Sequence, residues 1–194
     1  VEAKGGDGGA GIGGGWGTVA EKIEIVDCEM VKATGSHQGH ANSDNNDEYA
    51  EYAGSAGIGG GAKESSGKII IKNSTVEAKG DYWSAGIGSS GSNTSSATLW
   101  NVTCGSIEIT DSTINSTGGY GGAGIGSGRG AQFESGASIL IKDSDVKANG
   151  GGKGAGIGAG ANGIGTMIEI GAGDNSDLAR GGEADIDIII RGKS

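Results

Sequence analysis

Four aromatic residues stand just before three of the five copies of the tetrapeptide AGIG. The copies occupy residues 10–13, 56–59, 85–88, 123–126 and 155–158, and the chain has only three Trp, four Tyr and one Phe. The four aromatic residues are Tyr52, Tyr82, Trp83 and Tyr120. Aromatic faces stack on the C–H faces of sugar rings, while nearby polar groups bind the hydroxyls. This placement therefore predicts a carbohydrate-binding surface, although the same residues can instead cover the apolar ends of a glycine-rich strip.

Two carboxylates, Glu51 and Asp81, accompany these aromatic residues. Both can accept hydrogen bonds from sugar hydroxyls. Glycoside hydrolysis needs two carboxyl groups about 5–9 Å apart across the scissile bond. Since Glu51 and Asp81 come from neighbouring copies of a repeat, that separation is compatible with the sequence. If the chain is an enzyme, these two residues are the expected catalytic pair.

The element that must position these residues is a short apolar repeat. After each AGIG and a polar link come IEIVDC (23–28), IIIKNS (69–74), IEITDS (107–112), ILIKDS (139–144) and IEIGAG (168–173). A second apolar stretch of the form xVxAxG follows, and the shortest spacing between copies is the 29 residues from Ala56 to Ala85. Alternation with period two indicates strands, and fixed strands with links of variable length indicate a solenoid.

We therefore predict an all-β fold, a right-handed parallel β-helix of about five to six coils with three short strands per coil. The prediction treats residues 1–194 as one domain, excised from a longer protein because Val1 is not an initiator methionine. Three ladders of stacked isoleucines are expected to fill the interior. They are Ile12, Ile58, Ile87, Ile125 and Ile157; Ile23, Ile69, Ile107, Ile139 and Ile168; and Ile25, Ile71, Ile109, Ile141 and Ile170.

Two further columns mark the corners of the repeat. Asp27, Asn73, Asp111 and Asp143 are expected at a turn, beside a column of Cys28, Ser74, Ser112 and Ser144. The glycines of AGIG have two interpretations. One is a tight bend that only glycine permits, and the other is an outward-facing strip of bare backbone that serves as a binding or packing face. The two interpretations are compatible.

Composition excludes several other classes of function. The chain has 45 Gly, no Pro and a net charge of −10, so no basic surface is available for nucleic acid. No apolar run approaches the roughly 20 residues of a membrane span. No nucleophile elbow, phosphate loop or dinucleotide fingerprint is present. Two cysteines, Cys28 and Cys104, can be paired or free, and cannot form a zinc site alone.

Metal binding is not predicted as a main feature, so no cofactor is expected. The sequence His37-x-x-His40 has metal-ligand types but lies in the longest polar link. The acidic stretches Asp44–Glu48 and Asp174–Asp177 have oxygen ligands of the kind that Ca²⁺ takes. Neither carries the full glycine–aspartate repeat of calcium-binding solenoids.

The pattern GAGIGGG followed by IxIxxSxVxAxG resembles the repeats of pectate-lyase-like parallel β-helix domains in large secreted or wall-anchored bacterial surface proteins. The resemblance covers nearly the whole chain and rests on fold-forming residues. It implies extracellular display and association with glycans, either in adhesin-like modules or in parts of polysaccharide-degrading enzymes. It transfers no catalytic residue, because the lyase branch needs an acidic Ca²⁺ cluster with a basic residue on one face. Arg129, Arg180 and Arg191 are scattered along this chain.

The sequence thus favours a non-catalytic extracellular module that presents a flat glycine and aromatic face to a glycan or a cell-surface partner. The alternatives are a polysaccharide-degrading enzyme of β-helix type and a structural spacer. The ends or faces of such a module can also pack on other copies.

Overall fold

The computed structural model describes residues 1–36, 54–91 and 101–171, together with the backbone of 188–190. All regular elements in these ranges are β-strands, and no helix occurs among them. The strands are β1 (Glu2–Lys4), β2 (Ile12–Gly13), β3 (Ala20–Val26), β4 (Val31–Thr34), β5 (Ile58–Gly59), β6 (Ser66–Lys72), β7 (Thr75–Lys79), β8 (Ile87–Gly88), β9 (Thr103–Cys104), β10 (Ile107–Thr110), β11 (Thr113–Tyr120), β12 (Ile125–Gly126), β13 (Gln132–Phe133), β14 (Ser138–Lys142), β15 (Asp145–Gly151), β16 (Ile157–Gly158), β17 (Met167–Ile170) and β18 (Ile188–Ile190).

The strands form three sheets in which all pairs are parallel. Sheet A has the order β1-β4-β7-β11-β15, and sheet B has the order β16-β12-β8-β5-β2. Sheet C has eight strands, with β3, β6, β10, β14, β17 and β18 paired in succession and with β9 and β13 along the same sheet. Each repeat passes from sheet B to sheet C, and the first four continue to sheet A. The all-β, parallel part of the predicted fold is confirmed.

The three predicted isoleucine ladders are present in register. In sheet B, Ile12 pairs with Ile58, and the same column continues through Ile87 and Ile125 to Ile157. The two ladders of sheet C run from Ile23 to Ile168 and from Ile25 to Ile170 without a shift. The inner isoleucines of the middle repeats are fully buried, so alternation along each strand does select the inward face.

Sheet A adds a fourth apolar ladder from the xVxAxG stretches. Its members pair directly across adjacent strands and are buried in one continuous core with the isoleucines. They are Val31, Val76, Ile114 and Val146, with Ala33, Ala78, Ser116 and Ala148 beside them. Valine and alanine have smaller side chains than isoleucine, so sheet A can approach the other two sheets closely.

The predicted turn between sheets C and A is a left-handed corner. All four residues of the Asx column have positive φ, from 44° at Asn73 to 54° at Asp27. Asn and Asp tolerate this conformation better than other residues with a side chain, because their short polar groups bond locally. Asn73 also donates from Nδ2 to Oδ1 of Asp27 over 2.8 Å. The corner interpretation of this column is therefore confirmed.

The serine column beside this corner forms a continuous hydrogen-bond ladder. The hydroxyl of Ser112 donates to the carbonyl of Thr110 over 2.7 Å and accepts the backbone N–H of Ser74 over 3.2 Å. Ser74 and Ser144 repeat both bonds, with the N–H donors contributed by Cys28 and Ser112. Each hydroxyl thus satisfies two backbone groups at a position where the strand ladder is interrupted.

One long link leaves and re-enters the sheets at a single point. The backbone N–H of Ser36 donates to Oγ of Ser55 over 2.8 Å, and the N–H of Ser55 donates to the carbonyl of Ser36 over 3.1 Å. The Ser55 hydroxyl also donates to the carbonyl of Gly9 over 2.6 Å. Both ends of the link are therefore fixed by hydrogen bonds around the buried Ser55.

Candidate functional site

The AGIG motif forms a closed bend, which distinguishes between its two sequence interpretations. In every copy the N–H of the alanine donates to the carbonyl four residues later, over 2.9–3.1 Å. The second glycine of each motif has φ between 128° and 136°, a region that residues with a side chain rarely adopt. The structure therefore supports the tight bend that only glycine permits.

The prediction that these glycines form bare backbone open to a ligand is wrong for the second to fifth copies. Both glycines are buried there, and only Gly13 of the first copy is exposed. A Cβ on Gly57 would lie 2.7 Å from the backbone nitrogen of Lys79 in sheet A and 2.7 Å from the carbonyl oxygen of Gly86. The first glycine thus permits contact between sheets B and A, so the strip is an internal packing surface.

The aromatic residues before AGIG are brought together in two neighbouring repeats. The rings of Tyr82 and Tyr120 are stacked with centroids 6.1 Å apart and an interplanar angle of 30°. Trp83 meets Tyr82 edge to face at 5.1 Å. Tyr82 is 48% exposed and Tyr120 is 56% exposed. Two tyrosine rings therefore form an accessible surface at this corner, whereas Tyr52 lies outside the described residues.

Trp83 does not share this exposure, since only 6% of its surface is accessible. The Cζ atom of Arg129 lies 5.4 Å from the centroid of its ring, in the arrangement of a cation–π contact. The carbonyl of Trp83 accepts the backbone N–H of Arg129 over 2.7 Å. Trp83 is therefore a buried residue that packs against the exposed Tyr82. The sequence prediction that Trp83 offers an open stacking face is wrong.

The tyrosine row ends at the next repeat. A Cβ on Gly152 would lie 2.9 Å from Cδ2 and Cε2 of Tyr120, so the Gly152 backbone covers that part of the ring. On the other side, the N–H of Gly54 donates to the carbonyl of Tyr82 over 3.0 Å. The described part of the row is thus two rings long. We define the aromatic cluster as Tyr82, Trp83, Tyr120 and Arg129.

The predicted carboxylates of this corner are only partly described. Oδ1 of Asp81 accepts the backbone N–H of Tyr82 over 2.6 Å, so the carboxylate shapes the turn that presents the tyrosine. Glu51 lies outside the described residues, and the expected pairing of Glu51 with Asp81 stays a prediction.

Arg129 is the member of the cluster that sequence reasoning missed. It follows Trp83 by 46 positions and stands in a glycine-rich link. The carbon chain of Arg129 packs over Gly121, where a Cβ would lie 3.2 Å from Cδ of the arginine. The sequence signal for this contact is a glycine that leaves room for a long side chain. The chain contains 45 glycines, so this one does not stand out.

The remaining candidates add no second site within the described ranges. No group of three or more His, Cys, Asp or Glu residues that could hold a metal ion occurs there. His37, His40 and both acidic stretches proposed for Ca²⁺ lie outside those ranges. In the same part of the chain, no helix is long and apolar enough to cross a membrane.

Both cysteines are free thiols. Cys104 is buried beside Ser66, and its Sγ donates to the carbonyl of Gly126 over 3.3 Å. Burial raises the pKa of Cys104 to about 12, since the thiolate would lose its hydration. Cys104 therefore stays protonated and acts as a core residue. Cys28 occupies the serine column, where its Sγ donates to the carbonyl of Val26 over 3.3 Å.

Comparison with protein-family models, with curated proteins and with solved structures finds no match for this chain.

Proposed function

We propose that this chain is a right-handed parallel β-helix that acts as a non-catalytic, extracellular carbohydrate-binding module through Tyr82 and Tyr120. The assignment of the fold is supported by the constant path of the chain, from sheet B to sheet C to sheet A in each of the first four repeats. Stacked strands of successive repeats pair in parallel with isoleucine over isoleucine. The extracellular placement rests on the resemblance of the repeat to bacterial surface proteins.

The observation that carries the binding proposal is the exposed, stacked pair of tyrosines. Large apolar rings are normally buried when a core is available. Here the rings of Tyr82 and Tyr120 remain about half exposed. Tyrosine combines an apolar ring face with a hydroxyl that binds polar groups, which suits a sugar ring with its C–H face and its hydroxyls.

The positions of the two tyrosine rings also determine the direction in which a bound ligand must extend. Tyr82 and Tyr120 belong to adjacent repeats, whose paired strands are spaced by about 4.8 Å. A ligand that contacts both rings must therefore extend along the stack of repeats, across the strands. An oligosaccharide with sugars on successive rings fits this direction better than a single monosaccharide.

Binding of oligosaccharides by a Tyr82→Ala/Tyr120→Ala variant tests the proposal. On a glycan array we expect the wild-type chain to bind a defined set of oligosaccharides, and the double variant to lose that binding at least tenfold. Trp16→Ala is the matched control, because Trp16 is equally exposed at 57% but lies apart from the cluster. Trp83 is left unchanged because it is buried.

Equal binding by the double variant and the wild type would refute the role of the tyrosines. Sustained release of products from a glycan panel, lost in Asp81→Asn, would favour the enzyme alternative over a binding module.

A structural spacer is the second candidate, and the buried glycine columns favour it. These glycines allow the sheets to approach each other closely, as a stiff rod requires. A spacer predicts that neither the wild type nor any variant binds a glycan, and that the tyrosine pair can be replaced without functional loss.

A further inference from the structure

We infer that the ligand of the aromatic cluster carries an anionic group, a carboxylate or a sulfate ester, which Arg129 binds. This inference rests on the proposed binding function and deepens it. It starts from the position of the Arg129 guanidinium, which is held against the Trp83 ring at 5.4 Å, next to the exposed tyrosines.

The guanidinium is fixed in place without being neutralised. The backbone N–H of Arg129 donates to the carbonyl of Trp83, and the carbon chain of the arginine packs over Gly121. Within the part of the chain that the structure describes, no carboxylate forms an ion pair with Arg129. A guanidinium has five N–H donors in a rigid fork that matches carboxylate and sulfate oxygens. Among the described residues, the guanidinium of Arg129 forms no hydrogen bond or ion pair, so its N–H donors are available to a ligand.

A second cation lies in the same column. Gly154 packs against the carbonyl of Gly122, and Gly122 packs against the carbonyl of Ser84, so these three positions are stacked. The residues preceding them, Trp83, Gly121 and Lys153, are therefore stacked as well. Lys153 is exposed, one repeat beyond the glycine that Arg129 covers. It has no ion-pair partner among the described residues.

The local charge differs from the charge of the whole chain, which is −10. Screening limits this distant charge, since the Debye length is about 8 Å at physiological ionic strength. Asp81, the acid next to Tyr82 in the sequence, keeps its negative charge and is oriented by accepting the N–H of Tyr82. The unpaired Arg129 at the cluster, with the exposed Lys153 one repeat further along, thus favours a ligand that has a sugar ring for the tyrosines and an anionic group for the arginine.

The test uses pairs of oligosaccharides that differ only in the anionic group. One pair is a carboxylated oligosaccharide and its carboxyl-reduced form, and the other is a sulfated oligosaccharide and its desulfated form. We expect calorimetry to show that at least one anionic form binds about tenfold or more tightly than its neutral counterpart. This preference should weaken as salt concentration rises.

Arg129→Gln should abolish the preference for the anionic form, so the ratio of the affinities for the two forms should fall to about one. Arg129→Lys should restore part of the preference, because it keeps the charge but loses the fork. Lys142→Gln removes the same charge from an exposed position on sheet C, and it should change neither affinity.

The possible outcomes separate this inference from the proposed function. Equal affinity for charged and neutral partners, or a preference that persists in Arg129→Gln, would overturn the anionic ligand and leave the tyrosine surface standing. Absence of binding to any oligosaccharide would overturn both. The pair that shows the preference identifies whether the anion is a carboxylate or a sulfate ester.

Discussion

The corner between sheets C and A and the corner before AGIG differ in how strictly they repeat. At the first corner the same residue types recur in four repeats, with a left-handed Asx residue followed by a serine or cysteine. At the second corner Tyr82 stacks on Tyr120, whereas Tyr120 pairs with Gly151 of the next repeat after a register shift. At both corners the chain passes from one sheet to another.

The difference lies in where the hydrogen bonds come from. The first corner depends on its side chains, because the serine hydroxyls satisfy backbone groups that no strand reaches. The second corner is held by backbone bonds, such as the N–H of Trp83 to the carbonyl of Tyr120 over 3.1 Å. Asp81 and the buried Trp83 also contribute to this corner, but the exposed rings of Tyr82 and Tyr120 are not part of these bonds and are available for another purpose.

Gly126→Ala is expected to have the largest effect on the repetitive part of the molecule. At a φ of 135° the new Cβ would lie within the contact distance of the Gly158 carbonyl oxygen, so sheet B must separate locally. We expect a loss of about 3 kcal/mol or more in the free energy of unfolding, measured by denaturant titration.

Gly136→Ala is the control for backbone conformation alone. Gly136 has a φ of 77°, and a Cβ there would meet no atom within 4 Å. It should cost about 1–2 kcal/mol. Equal losses for the two variants would show that close packing of sheet B contributes nothing beyond backbone strain.

Ser112→Ala should have an intermediate effect. It removes the acceptor of the Ser74 N–H and leaves that buried donor without its partner, which costs about 1–3 kcal/mol. Ser135→Ala removes a hydroxyl from an exposed position and should change stability by less than about 0.5 kcal/mol. Thermal melting of the two variants compares them, and an unchanged Ser112→Ala would mean that the serine ladder is dispensable.

Apart from the control variants, the smallest effect is expected for Tyr82→Ala/Tyr120→Ala. Both rings are about half exposed, so their removal should lower the free energy of unfolding by about 1 kcal/mol or less. Unfolding monitored by circular dichroism tests this expectation. A loss as large as that of Gly126→Ala would show that the fold depends on the tyrosines. The two corners would then not differ in how strongly stability depends on their side chains.

The sheets and ladders could be predicted because isoleucines alternate with period two and recur in each repeat. Ile58, Ile87 and Ile125 align in the sequence as they align in sheet B. The environment of the glycines could not be predicted, since a residue without a side chain gives no sign of which surface faces it. Their burial depends on the backbone of sheet A, which the repeat pattern does not position.

The aromatic corner was predicted in part. Adjacent repeats placed Tyr82 near Tyr120, as the stacking shows. Trp83 and Tyr82 are neighbours of similar type, and only the positive φ of 61° at Trp83, together with the packing of Arg129, sets their exposures apart. Such a local backbone feature is not encoded in residue type, since aromatic residues seldom adopt it.

The paired hydrogen bonds between Ser36 and Ser55 have a practical consequence for engineering. Because the chain departs and returns at one clamped point, the length of the intervening segment is decoupled from the register of the strands. The entropic cost of closing a loop rises by only about 0.6 kcal/mol for each doubling of its length. Foreign peptides inserted there should be displayed without disturbing the repeats. The segment between Ser36 and Ser55 is therefore a suitable insertion site for grafted sequences.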